Sequence, residues 1–193
     1  LGNSTLTNKS GDTITVALGA TLTITGNSED EYKVGTVDNV TNGKADIINN
    51  GTVILNGGWY LRPLEDGAGP KNPGTNSYYN ILNHGEMTIN NETVVTQTGK
   101  YSSLIVNGYY DYAGGSDSRQ NYVVGTNQAA PKLTINNGVF YGGVNTIKND
   151  DGGELIINGG GFGNEEGCAV MNNNTATIKG GRFIAEGNYV LYS

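Results

Sequence analysis

The side chains best suited to chemistry collect in one stretch, YYDYAGGSDSRQNY at 109–122. Asp111, Asp117 and Arg119 put two carboxylates beside a guanidinium, the residue types of general acid and base work. Tyr109, Tyr110, Tyr112 and Tyr122 stand around them. A second aromatic group, Trp59, Tyr60, Tyr78 and Tyr79, flanks LRPLEDGAGPKNPGTNSYYN at 61–80. Ring faces are flat and apolar with a polar edge, which suits sugar rings or a protein partner. The binding role belongs to the cluster as a whole, because any single tyrosine serves equally well to pack a loop down. The other acids, among them Glu29, Asp30, Glu31, Asp150, Asp151, Glu165 and Glu166, fall in loops and turns, where a solvated charge is the ordinary role. His84 sits at a turn in ILNHGEM, equivalent to Asn50 and Asp150, and one histidine makes a poor metal site. GGGFGNEEG at 159–167 lacks the aspartate of calcium-binding nonapeptides. Cys168, the only cysteine, lies among apolar residues in GCAVMN and is expected inside. No metal or cofactor is expected.

A repeat must position these residues. A short strand, two or three turn residues and often an aromatic recur as ATLTITGN (20–27), TVILNGGWY (52–60), EMTINNETV (86–94), SLIVNGYY (103–110), KLTINNGVF (132–140), ELIINGGGF (154–162) and ATIKGGRF (176–183). The residue before each turn sets a register: Ile24, Leu55, Ile89, Val106, Ile135, Ile157 and Ile178. Successive intervals are 31, 34, 17, 29, 22 and 21 residues, so the last coils are regular and the earlier ones carry insertions. A second strand precedes most copies: DIINNG (46–51), ILNHG (81–85), TIKNDDG (146–152) and VMNNN (170–174). Apolar residues alternate within each strand, and period two puts them on one face.

Two or three short strands every 21 or so residues fit a coil rather than a hairpin stack, whose paired strands would recur without a longer period. Successive coils then stack in parallel sheets about 4.8 Å apart. Three ladders are predicted: Ile89, Val106, Ile135, Ile157 and Ile178 inward; Tyr60, Phe140, Phe162 and Phe183 just after the corner; and Asn56, Asn90, Asn107, Asn136 and Asn158 at the corner. The asparagine amides can pair with one another or cap the bend. Insertions near 28–44, 61–80 and 111–131 map to coil corners, where solenoids often build a binding face.

Composition agrees. The chain has 193 residues, of which 36% are apolar and 15% charged, with 31 glycines. Those proportions suit short strands and many turns, and the whole reads as a single β-solenoid domain over 1–193. A net charge of −7 with scattered Lys and Arg argues against nucleic acid. No apolar run approaches the roughly 20 residues of a membrane span. The opening LGNSTLTNKSGD reads as a processed or trimmed start. The end, YVLYS, is still strand-like, so the chain is expected to continue or its open end to associate end to end with another copy.

The pattern resembles the right-handed parallel β-helix of the pectate-lyase-like group. More narrowly, TVILNGGWY, KLTINNGVF, ELIINGGGF and ATIKGGRF are similar to the Gly-Gly-x-Phe coil repeats of bacterial cell-surface and adhesin proteins. The resemblance implies an all-β, single-stranded, right-handed parallel β-helix of about seven or eight coils. It also implies an extracellular setting, on a bacterial surface or secreted. The expected role is a non-catalytic binding module for a glycan or a host or cell-surface protein. The alternatives are a carbohydrate-active enzyme, lyase or hydrolase, on the same fold, or a passive stalk. Lyases of the group set acids and a basic residue at equivalent positions of adjacent coils, whereas the strand positions here carry Thr, Ile and Asn.

Overall fold

Strands of two to five residues separated by Asn- and Gly-rich corners wind this chain into a coil. The computed structural model describes residues 1–26, 35–39, 44–62, 79–100, 102–108, 131–150 and 152–193, and none of these is helical. Taken coil by coil, the strands are β1 Thr5–Asn8, β2 Ile14–Val16 and β3 Thr21–Thr25; then β4 Thr36–Asn39, β5 Ile47–Asn49 and β6 Thr52–Asn56; then β7 Gly58–Arg62, β8 Ile81–Asn83 and β9 Glu86–Ile89. They continue as β10 Thr93–Gln97, β11 Ile105–Asn107 and β12 Lys132–Ile135; β13 Val139–Gly142, β14 Asn145–Asn149 and β15 Glu154–Ile157; β16 Gly161–Asn164, β17 Cys168–Asn172 and β18 Thr175–Ile178; and finally β19 Arg182–Ala185 and β20 Leu191–Tyr192. Every third strand joins the same sheet. The first sheet runs β1-β4-β7-β10-β13-β16-β19, the second β2-β5-β8-β11-β14-β17-β20, and the third β3-β6-β9-β12-β15-β18. Pairing within each sheet is parallel, which makes a right-handed parallel β-helix of about seven coils.

Register puts like on like. In the third sheet Ile24, Leu55, Ile89, Ile135 and Ile157 form one buried inward column, as expected, and Ile178 of the last strand continues its register but is 38% exposed. In the first sheet Leu6, Val37, Tyr60, Val95, Phe140, Phe162 and Phe183 form another, in which Val95 interrupts the expected aromatic run. The Phe140 and Phe162 rings stack at 4.9 Å and 11°, and those of Phe162 and Phe183 at 4.7 Å and 7°. These separations are the strand spacing itself, so backbone pairing and ring stacking reinforce each other. The second sheet adds Ile14, Ile47, Ile81, Ile105, Ile147 and Val170.

Val106 and Asn107 depart from expectation. Their strand, β11, belongs to the second sheet, where Val106 aligns with Leu82 and Lys148, on the face opposite the inward column. The sequence IVNG resembles IINNG and ILNHG as closely as it resembles ILNGG, so its local pattern fits either sheet. The stretch from Ile89 to Ile135 is therefore one coil, with residues 109–130 following β11. The insertion expected at 28–44 contains β4, a regular strand of the stack.

Two asparagine ladders result. Asn158, Asn136 and Asn90 each donate a side-chain amide to the Oδ1 of the asparagine one coil earlier, ending at Asn56, at 2.7 Å each. This ladder is solvent-facing. The second is interior and donates the other way: Asn49 to Asn83, Asn83 to Asn107, Asn107 to Asn149 and Asn149 to Asn172, at 2.7–2.8 Å. Backbone carbonyls orient its amides. Asn49 Nδ2 also donates to Glu86 O, Asn107 Nδ2 to Glu154 O and Asn149 Nδ2 to Thr175 O. Buried amides must find such partners. A third set serves the corner between the first and second sheets. Asn8 donates to Asp12 O, Asn39 to Gly11 O, Arg62 Nε to Lys44 O, Gln97 to Ser102 O and Asn164 to Gly143 O.

That corner also buries charge. Asp46 is fully buried, with Asn80 one coil above it. Burial, and then the charge of Asp38, push its carboxyl well above the ordinary 3.8, while Arg62 and Asn80 pull it back by less.

Two outcomes are expected in denaturation experiments. Asn107→Ala, which orphans buried amides, costs about 1–3 kcal/mol, and Asn136→Ala on the exposed ladder costs less than about 1 kcal/mol. Asp46→Asn is more stable than the wild type at neutral pH. Because Asp46 binds its proton more tightly in the folded chain, the wild type gains stability as pH falls through the raised range. The advantage of the variant therefore shrinks steadily and levels off below the ordinary value of 3.8.

Candidate functional site

Period two that sends Tyr60, Phe140 and Phe162 inward sends their neighbours outward. One outer row of the first sheet is Thr36, Trp59, Val94, Val139, Gly161 and Arg182. The next is Asp38, Leu61, Thr96, Tyr141, Gly163 and Ile184. Trp59 is 43% exposed, Val139 53%, Tyr141 44% and Ile184 45%, so this face presents apolar surface that the coil does not use.

A furrow crosses the face along β16. Both outward positions of that strand, Gly161 and Gly163, are glycine, and neither has the positive φ that would require it. A Cβ on Gly161 would meet nothing within 4 Å. A Cβ on Gly163 would meet Tyr141 Cδ2 at 2.7 Å, because the Tyr141 ring lies over this strand. Val139 and Tyr141 form one lip and Arg182 and Ile184 the other, around a depression of about 290 Å³. Beyond Tyr141 a second depression, about 250 Å³, is lined by Thr96, Thr98, Lys100, Glu165 and Glu166 among others. Tyr141 is the wall between the two.

Tyr141 is held in place by its hydroxyl, which donates to Glu165 Oε1. That bond, then burial and the charges of Glu165 and Glu186, push the phenol up to about 12. Lys100 Nζ lies 2.5 Å from Glu166 Oε1, with both side chains substantially exposed, so this pair contributes little to stability. The rim thus carries carboxylates, a guanidinium and an ammonium around an aromatic and aliphatic floor. Such an arrangement can stack a flat apolar face and hydrogen-bond its edge.

The sequence-expected residues divide three ways. Trp59 is on this face. Tyr60 is not: it is fully buried in the inward column, its hydroxyl donates to Gly57 O at 3.2 Å, and burial raises its phenol further than that of Tyr141. Adjacent residues of a strand point to opposite sides, so the pair Trp59–Tyr60 supplies only one surface ring. Tyr79 is half-buried just before β8. Tyr78, Tyr109, Tyr110, Asp111, Tyr112, Asp117, Arg119 and Tyr122 lie outside the described residues. Tyr141, Val139, Ile184 and the two furrow glycines escaped sequence reasoning. The available signal was the pair Phe140–Tyr141, whose second ring must face out if the first faces in.

The remaining candidates have structural roles. His84 Nδ1 sits 3.0 Å from Asn50 Oδ1 one coil below, at the turn its sequence position implied. Lys148 Nζ sits 2.7 Å from Asp150 Oδ2. Cys168 is buried with a free thiol. Among the described residues no three His, Cys, Asp or Glu are grouped to hold a metal ion, and no helix is long and apolar enough to cross a membrane. In comparisons with family models, curated proteins and solved structures, the chain matches none.

Glu165→Gln removes the main cause of the Tyr141 shift. The phenol should fall from about 12 toward the ordinary 10.0, read as the difference between titrations of this variant with and without Tyr141→Phe.

Proposed function

We propose that this chain is a non-catalytic binding module whose ligand is a glycan, taken up on the outer face of the first sheet. One observation carries it: Trp59 and Tyr141, both substantially exposed, share a face with a furrow one strand wide that the backbone does not require. The two rings stand two strands apart, roughly 10 Å across the sheet, the scale of a short oligosaccharide. A sugar ring on Tyr141 presents its hydroxyls to Glu165, Glu186 and Arg182 at the lips, and a second ring stacks on Trp59. The setting is extracellular, on a bacterial surface or secreted. The likeness of the Gly-Gly-x-Phe coils to those of bacterial surface proteins of the pectate-lyase-like kind supports this, as does the Asn-, Thr- and Gly-rich composition. The enzyme alternative rests on Asp111, Asp117 and Arg119, and no observation on the described residues favours it.

Trp59 is the only tryptophan, so its fluorescence reports on the site directly. Screened on a glycan array and then titrated, a bound oligosaccharide should shift that emission. Tyr141→Ala should weaken binding by about tenfold, the 1.4 kcal/mol scale of one well-placed ring contact. A glycan held by Trp59→Ala and by Tyr141→Ala as tightly as by the wild type, or binding of protein but of no glycan, would overturn the assignment.

A further inference from the structure

Corners built from asparagine followed by glycine carry a reactivity of their own. The backbone nitrogen of the glycine can attack the asparagine side-chain carbonyl carbon, and glycine offers no side chain to obstruct it. Six such pairs occur, beginning at Asn42, Asn50, Asn56, Asn107, Asn137 and Asn158, and all but the first are described. We propose that, among the described pairs, Asn137–Gly138 is the self-modifying site, where the chain forms a cyclic succinimide and then an aspartate or isoaspartate.

Four pairs are held away from the reaction. Gly51 N–H donates to Asn49 Oδ1 at 2.9 Å, and Asn50 Oδ1 is beside His84 Nδ1. Gly57 N–H donates to Thr93 Oγ1 at 3.1 Å, while Asn56 Oδ1 accepts from Asn90. Gly108 N–H donates to Asn83 O at 3.0 Å, and the fully buried Asn107 amide is committed to Asn149 and Glu154. Asn158 is exposed, but its Nδ2, the leaving group, is tied to Asn136 Oδ1 at 2.7 Å. In each case the nucleophile or the carboxamide is turned to another partner.

Asn137 differs on both counts. It is exposed and stands outside the ladder, the ladder place in this coil being taken by Asn136. The Gly138 N–H points at the Asn137 side chain itself, 2.9 Å from Oδ1, which brings the attacking nitrogen against the carboxamide it must enter. In the reaction, hydroxide takes the Gly138 amide proton and the N–Cγ bond forms. The Cγ–Nδ2 bond then breaks, and Nδ2 leaves as ammonia with a proton from water. Water opens the ring at either carbonyl and leaves a carboxylate. No electrons change hands. The new charge stands two residues before Val139, at the edge of the outer face.

The test is to hold the folded protein at mildly alkaline pH in ammonia-free buffer and follow each Asn-Gly peptide by mass spectrometry. A parallel incubation in denaturant supplies the intrinsic rates. In the folded chain Asn137 should convert at least about tenfold faster than each of the other four, a difference of about 1.4 kcal/mol in barrier, and in denaturant the five rates should converge. Conversion of Asn158 or any other of the four as fast as Asn137 would overturn the proposal. So would protection of Asn137 by folding to the degree seen for Asn107.

Discussion

A single coil of this chain cannot bury its own apolar side, and every other feature follows from that constraint. Only a neighbour above or below can cover Ile135 or Phe162, and the parallel pairing that brings it also fixes it in register. Identical positions then meet at the strand spacing. The stacked phenylalanines, the isoleucine column and the asparagine ladders are one arrangement repeated with different chemistry. Each rung satisfies the next, as expected of a linear array stabilised by nearest neighbours.

The two ladders show how position within the coil changes the worth of one residue type. Interior asparagines sit where the bend leaves backbone groups without water, and each amide answers a carbonyl as well as the next amide. The outer asparagines have solvent as an alternative. The corner between the first and second sheets extends the same logic with Asn39, Arg62, Gln97 and Asn164, each reaching inward to a corner carbonyl. There the demand for donors admits a buried guanidinium and, beside it, the buried Asp46, at a desolvation cost that apolar residues would avoid. The Asp46 position passes through Asn80, Leu104, Thr146 and Ala169 in later coils, all of them buried and none charged.

Since the inside is fixed by stacking, variation moves to the outer faces. The furrow at Gly161 and Gly163 arises because outward positions on β16 carry no structural duty, so that small residues there leave the coil intact and only reshape its surface. Tyr141 lies across it because Gly163 gives the ring room and Glu165 accepts its hydroxyl. Surface shape and core packing are thereby nearly independent in this architecture, which lets a face acquire a ligand without disturbing the fold.

Much was legible in the residues alone. Alternation within KLTINN or ELIING and the glycine-bearing corners are local, so they announced parallel coils, the isoleucine column, the corner amides and the inward phenylalanines. The sequence could not place Val106 and Asn107, because IVNG fits two sheets and only the count of strands around the coil assigns it to one. Nor could it separate Trp59 from Tyr60, or find Tyr141 and its furrow, because a surface is composed of residues from several coils brought side by side. Local pattern determines what a strand is; which strands become neighbours, and hence what the assembled face offers, depends on how insertions of unequal length are absorbed between coils, and that is settled only when the stack closes.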